Sequence, residues 1–415
     1  MAATFDPCDA FAGLLTVDAL LPKVAHRFPA LRRPADSVRL DAAVGRVLAE
    51  PVVAGLNMPP QDNSAMDGYA VRWADLSAGE PTVLTRVGRS AAGRPSERIC
   101  APGEAVRIFT GAALPVGADT VVMQEVCLVD GERITVPADI ERGANRRRAG
   151  EDIAVGQICL PAGRRLRTVD IGVAAALGCD HLMVRPRLRV AILSNGDELR
   201  EIGQPLAPTC IFDSNRPMLR ALLRSLDCDI TDLGIQPDRV EVIRDALTTA
   251  MAGHDLVIAT GGMSVGEEDH VKTAVSALGS LDFWRLAIKP GKPVAVGQIG
   301  AVPFIGLPGN PVAVLVTFLL VARPLILSLL GAEIPPLAGY PVVAGFDHSK
   351  PVGRRDFLRG RLVRDPAGTF SVIKFRSEGS HMLSSLAESD GLIDLAEATS
   401  TVERGQIVRF IPFPG

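Results

Sequence analysis

Apolar positions change their rhythm several times along the chain. After Thr16, residues Leu20, Leu21, Val24 and Phe28 fall on one helical face. Thr16 offers a side-chain oxygen as N-cap, and Pro29 and Pro34 end the segment. A second short helix is expected from Asp41 to Leu48, ahead of Pro51. From about Asn57 short β-type runs take over: GYAVRW, PTVLTRVG, AVRIFTG, DTVVMQEVCLV and ERITV, separated by Gly, Pro and Asp. Residues 153–187 read as a strand pair around Pro161-Ala162-Gly163 and then a helix, with Thr168 as N-cap and Gly178 just past its end.

Between 188 and 330 apolar strands alternate with amphipathic helices. LRVAILS, CDITDLGI, DLVIAT, PVAVG and VPFIGL read as strands. Helices are expected at Asn215–Leu226, at Arg239–Met251, over DHVKTAVSAL, and from Pro311 to Leu330. Such alternation predicts a doubly wound, mostly parallel sheet with helices on both faces. Ligands of these sheets bind at loops beyond the strand C-termini. From about Ile334 the runs YPVVAGF, DFLRGRLV, TFSVIKF, GLIDL and QIVRFI predict a small C-terminal β-barrel. The fold class is therefore multidomain α/β plus β. The expected pieces are a helical and extended N-terminal domain (1–56 with 146–187), an inserted β-rich domain (57–145), the α/β domain (188–332) and the barrel (333–415).

The 415 residues are 47% hydrophobic, enough for several cores, and a net charge of −3 gives no global pull toward nucleic acid or an anionic membrane. Seven scattered cysteines, an odd number without CxxC spacing, argue against a disulfide framework or zinc ribbon and for a reducing compartment. Six dispersed histidines without HExxH argue against a histidine-ligated catalytic metal. Asp6 and Asp9 interrupt any N-terminal signal pattern. The apolar run after Val312 breaks at Arg323-Pro324, short of the ~20 residues of a membrane span. A soluble, cytoplasmic protein is expected.

Candidate chemistry sits in the loops. LAIKPGKP places Lys289 and Lys292 on a Pro-Gly-stiffened turn, and GLPGNP (Gly306 to Pro311) opens the long apolar helix. Cations on a rigid loop beside a helix N-terminus suit a phosphorylated or oxyanionic ligand. TGGMSVGEEDH, Thr260 to His270, follows a buried strand; its Gly261, Gly262, Ser264 and Gly266 let the backbone approach an anion, and Asp269 adds a carboxylate. It is neither a Walker A loop nor a strict GxGxxG. SNGDEL puts Asp197 and Glu198 at another strand end, where Mg²⁺ or a polar ligand could be held. DNSAMDGYAV concentrates Asp62, Asn63, Ser64 and Asp67; RIFTGAALPVGAD adds Thr110; NRRRAGED adds an Arg triplet and Asp152. On composition alone the Arg triplet reads as a solvated face, and Arg359 and Ser380 of RRDFLRG and SEGSHMLSSL as surface positions.

Taken in order, DNSAMDGYAV, RIFTGAALPVGADTVVMQE, RRRAGEDI, GDEL, TGGMSVGEEDH, LAIKPGKP and GLPGNP resemble the molybdopterin molybdenumtransferases, the bacterial molybdenum insertases. The resemblance runs from about Thr16 to Phe413. It implies insertion of molybdate into adenylyl-molybdopterin with release of AMP and a requirement for Mg²⁺. It implies a molybdopterin-binding α/β domain and an N-terminal linker and dimerisation domain. It also implies a homodimer whose cleft is shared between subunits, with transient contacts to an adenylyltransferase and to molybdoenzyme apo-proteins. By resemblance, Glu198, Asp238 and Asp269 orient the nucleotide-linked pterin, Glu198 and Asp269 hold Mg²⁺, and Lys289 and Lys292, with Arg359 and Ser380, receive molybdate. Asp62, Thr110 and Asp152 line the same cleft, the first two reaching in from the partner subunit. Pro308, Gly309, Asn310 and Pro311 shape the turn that closes the site. Arg285, Asn195 and His270 depart from the family's usual lysine, threonine and tyrosine. The alternatives are a molybdopterin adenylyltransferase, which would lack the inserted module and the barrel, and a non-catalytic scaffold on the same fold, which would not need the charged set.

Overall fold

The computed structural model describes residues 14–262, 270–364 and 368–414. The chain divides into two compact units: one takes the described residues of Met1–Ala49, Gly163–Arg167 and Met183–Gly415, the other Glu50–Ala162 and Thr168–Leu182.

The first unit is built on a six-stranded sheet in the order Asp229–Gln236, Arg189–Asn195, Leu256–Thr260, Val302–Leu307, Pro293–Ile299, Gly279–Arg285. The first three pairings are parallel and the last two antiparallel, so that Pro293–Ile299 alone in this sheet runs against the others. Alternate side chains feed two cores. Val190, Ile192, Leu256 and Ile258 pack with Leu219 and Leu223 of helix Asn215–Ser225. Ala191, Leu193, Val257 and Ala259 pack with Ile243 and Leu247 of Val240–Met251 and with Val271 and Val275 of His270–Leu278. Burial on both faces is why these strands read as unbroken apolar runs. The edge strand Gly279–Arg285 is an addition to the sequence reading, which placed nothing there.

Helix Val17–Arg27 starts where expected, with Thr16 Oγ1 accepting the Ala19 N–H at 3.3 Å. The helix expected over Asp41–Leu48 does not form. Only a 3₁₀ turn, Leu40–Ala42, is present, and Gly45, at φ +83°, turns the chain so that Val47 and Leu48 bridge to Arg165 and Val184. The closing helix is continuous but not uniformly α. Pro311–Thr317 and Arg323–Leu329 are α-helical, and Phe318–Ala322 between them is a π turn. Pro324 has no N–H for the Leu320 carbonyl, and the widened turn absorbs the break expected as a kink. At 19 residues the helix is long and apolar enough for a membrane, yet 89% of its window is buried, with Val314, Phe318, Val321 and Leu325 in the main core.

After the helix, Arg355–Arg364, Phe370–Lys374, Tyr340–Ala344, Ile407–Pro412 and Gly391–Leu395 form a barrel, the last strand pairing back onto the first. Val342, Leu358, Val372, Ile393 and Phe410 fill it. Gly360 is needed there, since a Cβ would lie 2.7 Å from both Val372 and Ile393 side chains.

In the second unit a six-stranded sheet runs Thr120–Met123, Gly68–Val71, Glu104–Ile108, Thr82–Ser90, Arg133–Val136, Leu128–Asp130. Tyr69, Val71, Leu84 and Val122 face one core, and Ala70, Val106, Ile108 and Val121 the other. The strand pair expected around Pro161-Ala162-Gly163 is replaced by a longer-range pairing: Ile158–Leu160 joins Val52–Val53. Glu50–Leu56 and 146–162 therefore belong with the inserted sheet in this unit. Helix Thr168–Ala176 follows and ends before Gly178, at φ +81°.

The six described cysteines are free thiols. Burial pushes Cys228 up to about 12 and Cys100 and Cys127 to about 11. The widened turn of the closing helix gives a stability test. Phe318→Ala removes a side chain that is 1% exposed, and should cost about 3–5 kcal/mol, read as a lower denaturation midpoint of the first unit.

Candidate functional site

The lysine loop is fixed from three sides. The Leu286 N–H donates to the Lys292 carbonyl at 2.8 Å and closes the turn. Ile288–Lys289 adds a short parallel strand to Arg355–Asp356 of the barrel. Gly291 sits at φ +104° against the closing helix, and a Cβ there would be 2.6 Å from Thr317 Cγ2. Only glycine satisfies both conditions. Lys289 and Lys292 then line a cavity of about 590 Å³, together with Pro308, Asn310, Glu378 and Ser380.

Ser380 joins the barrel to the start of the closing helix. Its carbonyl accepts the Val312 N–H at 3.2 Å, and its hydroxyl accepts Asn310 Nδ2 at 3.0 Å. Arg359 is 2% exposed and does not line the cavity. Its Nε donates to Ser385 Oγ (3.0 Å) and its Nη2 to the carbonyls of Ser377 (2.7 Å) and Gly379 (3.2 Å). Arg359, expected to help receive the oxyanion, stands behind the cavity wall. It grips the loop that carries Ser380, because a buried guanidinium must satisfy its donors locally.

A second cluster lies at the strand C-termini of the same unit. Asp238 accepts Asn195 Nδ2 (3.3 Å) and faces His270 Nδ1 (3.0 Å), while its N–H donates to Asp197 Oδ1 (3.1 Å). Two of the three expected departures from the family pattern, Asn195 and His270, thus converge on one carboxylate. Gly261 and Gly262, at φ +89° and +62°, fold against Asn195, where a Cβ would meet its atoms at 2.5 and 2.6 Å. Asn215 Nδ2 donates to the Gly309 carbonyl at 2.6 Å and Thr260 Oγ1 to that of Pro308 at 3.1 Å, so the GLPGNP turn is pinned beside these strand ends. Pro311 starts the helix, with Asn310 at its N-cap. Glu198, which follows Asp197 in the same loop, is exposed. Ser264, Gly266 and Asp269 lie outside the described residues. Among the described residues no three His, Cys, Asp or Glu side chains are grouped to hold a metal.

The second unit gathers Asp62, Thr110 and Asp152 around neighbouring loops. Asp62 is an ion-pair partner of Arg146 and accepts the Ala149 N–H at 2.8 Å. Burial pushes its carboxyl up, but the Ala149 N–H, Arg146 and Arg148 outweigh this and hold it below the ordinary value. The Arg triplet is accordingly not all solvated face: Arg146 fastens the 146–152 segment to Asp62. Thr110 gives both its N–H and its hydroxyl to Asp67, each at 2.8 Å, which holds that carboxyl low. The Asp152 N–H donates to the Met58 carbonyl at 3.0 Å, and its side chain is exposed.

Two carboxylates here carry roles that sequence reasoning did not assign. Asp67, inside DNSAMDGYAV, orients Thr110. Glu378, inside SEGSHMLSSL, forms an ion pair with Lys289 and lies 3.5 Å from His348 Nδ1. The Lys289 hydrogen bond holds the Glu378 carboxyl below its ordinary value, and burial pushes the His348 imidazole down despite Glu378. The only available signal was position, next to Gly379-Ser380.

Comparison with known proteins covers nearly the whole chain. Residues 15–178 match the MoeA N-terminal region (domain I and II), 191–328 a probable molybdopterin binding domain, and 341–413 the MoeA C-terminal region (domain IV). The molybdopterin molybdenumtransferase of Haemophilus influenzae is 39% identical over 404 residues, covering 96% of this chain and 99% of its own. That of a Nostoc species is 36% identical over 387 residues, covering 91% and 88%. Among solved structures, a molybdopterin biosynthesis MoeA protein from Pyrococcus horikoshii superposes with a TM-score of 0.81 at 28% identity, covering 96% of this chain and all of the other.

Asp62→Asn should loosen the 146–152 segment, seen as faster amide exchange at Ala149. Because the native carboxyl titrates below 3.8, its contribution is present above that pH and is lost as pH falls through the lowered native value. Wild type and variant should therefore differ at pH 7 and converge in strong acid.

Proposed function

Because the chain belongs to the molybdopterin molybdenumtransferase family, we propose that it performs the metal-insertion step of molybdenum cofactor biosynthesis. Molybdate and adenylyl-molybdopterin are its substrates, and AMP is released. The observation that carries this reading is the cavity where Lys289, Lys292 and Ser380 meet beside the pinned Pro308–Asn310 turn. A tetrahedral dianion fits such a place, where ammonium groups and hydrogen-bond donors are carried on backbone that is fixed before the ligand arrives.

The reaction asks little covalent chemistry of the protein. Two thiol sulfurs of the dithiolene bind molybdenum, and one molybdate oxygen leaves as water with the two thiol protons. Water cleaves the phosphoanhydride, and AMP departs. Lys289 and Lys292 hold the oxyanion, the Gly261-Gly262 backbone approaches the phosphates, and Asp238, held by Asn195 and His270, accepts hydrogen bonds from the nucleotide-linked pterin. Positioning and charge neutralisation supply most of the acceleration in such transfers.

Mg²⁺ suits the oxygen donors at the strand ends. Glu198 and Asp269 would hold it, and a magnesium ion completes its shell with substrate phosphate and water rather than an all-protein cage. Held there, Mg²⁺ would supply charge neutralisation at the phosphoanhydride. We also propose a cytoplasmic homodimer in which Asp62 and Thr110 of one subunit serve the cleft of the other, with transient contacts to the enzyme upstream and to recipient apo-proteins.

Purified protein given adenylyl-molybdopterin, Mg²⁺ and molybdate should release AMP in a molybdate-stimulated manner. Lys289→Ala should raise the molybdate concentration needed roughly tenfold or more, the loss of one charge-assisted contact. Molybdate-independent AMP release in both proteins would count against the assignment. Mixing Asp62→Asn with Lys289→Ala protein should restore part of the activity if subunits share the cleft, and should restore none if each cleft is self-contained.

A further inference from the structure

The cations of the lysine cavity are not equally available. Arg354 is bound to Asp356 through two contacts, at 2.7 and 3.0 Å. Lys289 is paired with Glu378. Lys292 is exposed and has no ion-pair partner among the described residues. An arriving dianion therefore meets one uncompensated ammonium, with a carboxylate occupying the other.

The placement of that carboxylate is built. Arg359 holds the carbonyls on either side of it, those of Ser377 and Gly379, from within the barrel wall. The backbone of Glu378 is thus fixed, while its side chain, like that of Lys289, stays more than a third exposed, at 38% and 37%. Such a pair can open without unfolding anything. Further polar groups flank the carboxylate on its other side. His348 Nδ1 is 3.5 Å from Glu378 Oε1 and 3.4 Å from Lys374 Nζ, and the buried His348 Nε2 has no hydrogen-bond partner. The charged groups facing Glu378 are therefore Lys289 from the lysine loop, His348 and Lys374 from barrel segments, and Arg359 from beneath.

We propose that Glu378 is an internal counter-ion of the oxyanion pocket: it occupies Lys289 until a tetrahedral oxyanion displaces it toward His348 and Lys374. The proposal rests on the reading of this cavity as the molybdate site. It makes Glu378 a determinant of affinity. Oxyanion binding must compete with a tethered carboxylate, so a weakly charged or misplaced anion fails where a dianion spanning Lys289 and Lys292 succeeds.

The test is calorimetric titration of the full-length protein with molybdate alone. Glu378→Gln, which keeps the shape and removes the charge, should bind molybdate roughly tenfold more tightly, and Glu378→Ala should shift affinity in the same direction. In a Lys289→Ala background Glu378→Gln should give no gain, since the ammonium it would release is gone. Lys292→Ala should weaken binding throughout. Unchanged or weaker binding by both Glu378 variants, with Lys292→Ala still weakening it, would overturn the counter-ion and leave the pocket assignment standing. An equal gain with and without Lys289 would also overturn it. If Lys292→Ala has no effect either, the cavity is not the oxyanion site, and both readings fall.

Discussion

The site depends on two residues of β-pairing. Ile288 and Lys289 leave the α/β sheet and align in parallel with Arg355 and Asp356 of the barrel. That seam fixes Lys289 against a wall that is closed on itself and offers no slack. On the barrel side the reciprocal anchor is Arg359, whose buried guanidinium holds the loop bearing Glu378 and Ser380. Ser380 in turn bonds to Asn310 and Val312 at the start of the closing helix. Cation, carboxylate and hydroxyl are thus brought together by hydrogen bonds that hold their backbones, from the β-seam and from Arg359, rather than by apolar packing. Such bonds leave the side chains free to change partners while their origins stay put.

Much of the fold was legible because its signals are local. The apolar runs at Arg189–Asn195 and Leu256–Thr260, the Thr16 cap and the loops after each parallel strand follow from periodicity and turn chemistry. What stayed hidden is non-local. Gly45 turns a helix-like stretch into bridges with Arg165 and Val184, partners more than a hundred residues away. Ile158–Leu160 prefers distant Val52–Val53 to a neighbour across Pro161. The strand Gly279–Arg285 carries too mixed a pattern to announce itself.

The candidate site divides the same way. Lys289, Lys292 and the GLPGNP turn were readable because proline and glycine freeze a loop whatever surrounds it. The burial of Arg359 was not, since one sequence cannot distinguish an arginine at the surface from one held among carbonyls. Glu378 escaped notice for a related reason. A carboxylate beside an anion pocket looks unfavourable until its partner is known. Asp62 offered the opposite case: an acidic residue with functional neighbours that spends its charge on Arg146 and Ala149.

The buried thiols bear on the cargo. Molybdenum delivered to a dithiolene is a metal with affinity for sulfur, and a protein rich in accessible thiolates would divert it. Cys100, Cys127 and Cys228 remain protonated at physiological pH, since burial has driven their acidity far out of range. Burial thereby keeps these three sulfurs out of the exchange, leaving the pterin dithiolene as the readier acceptor.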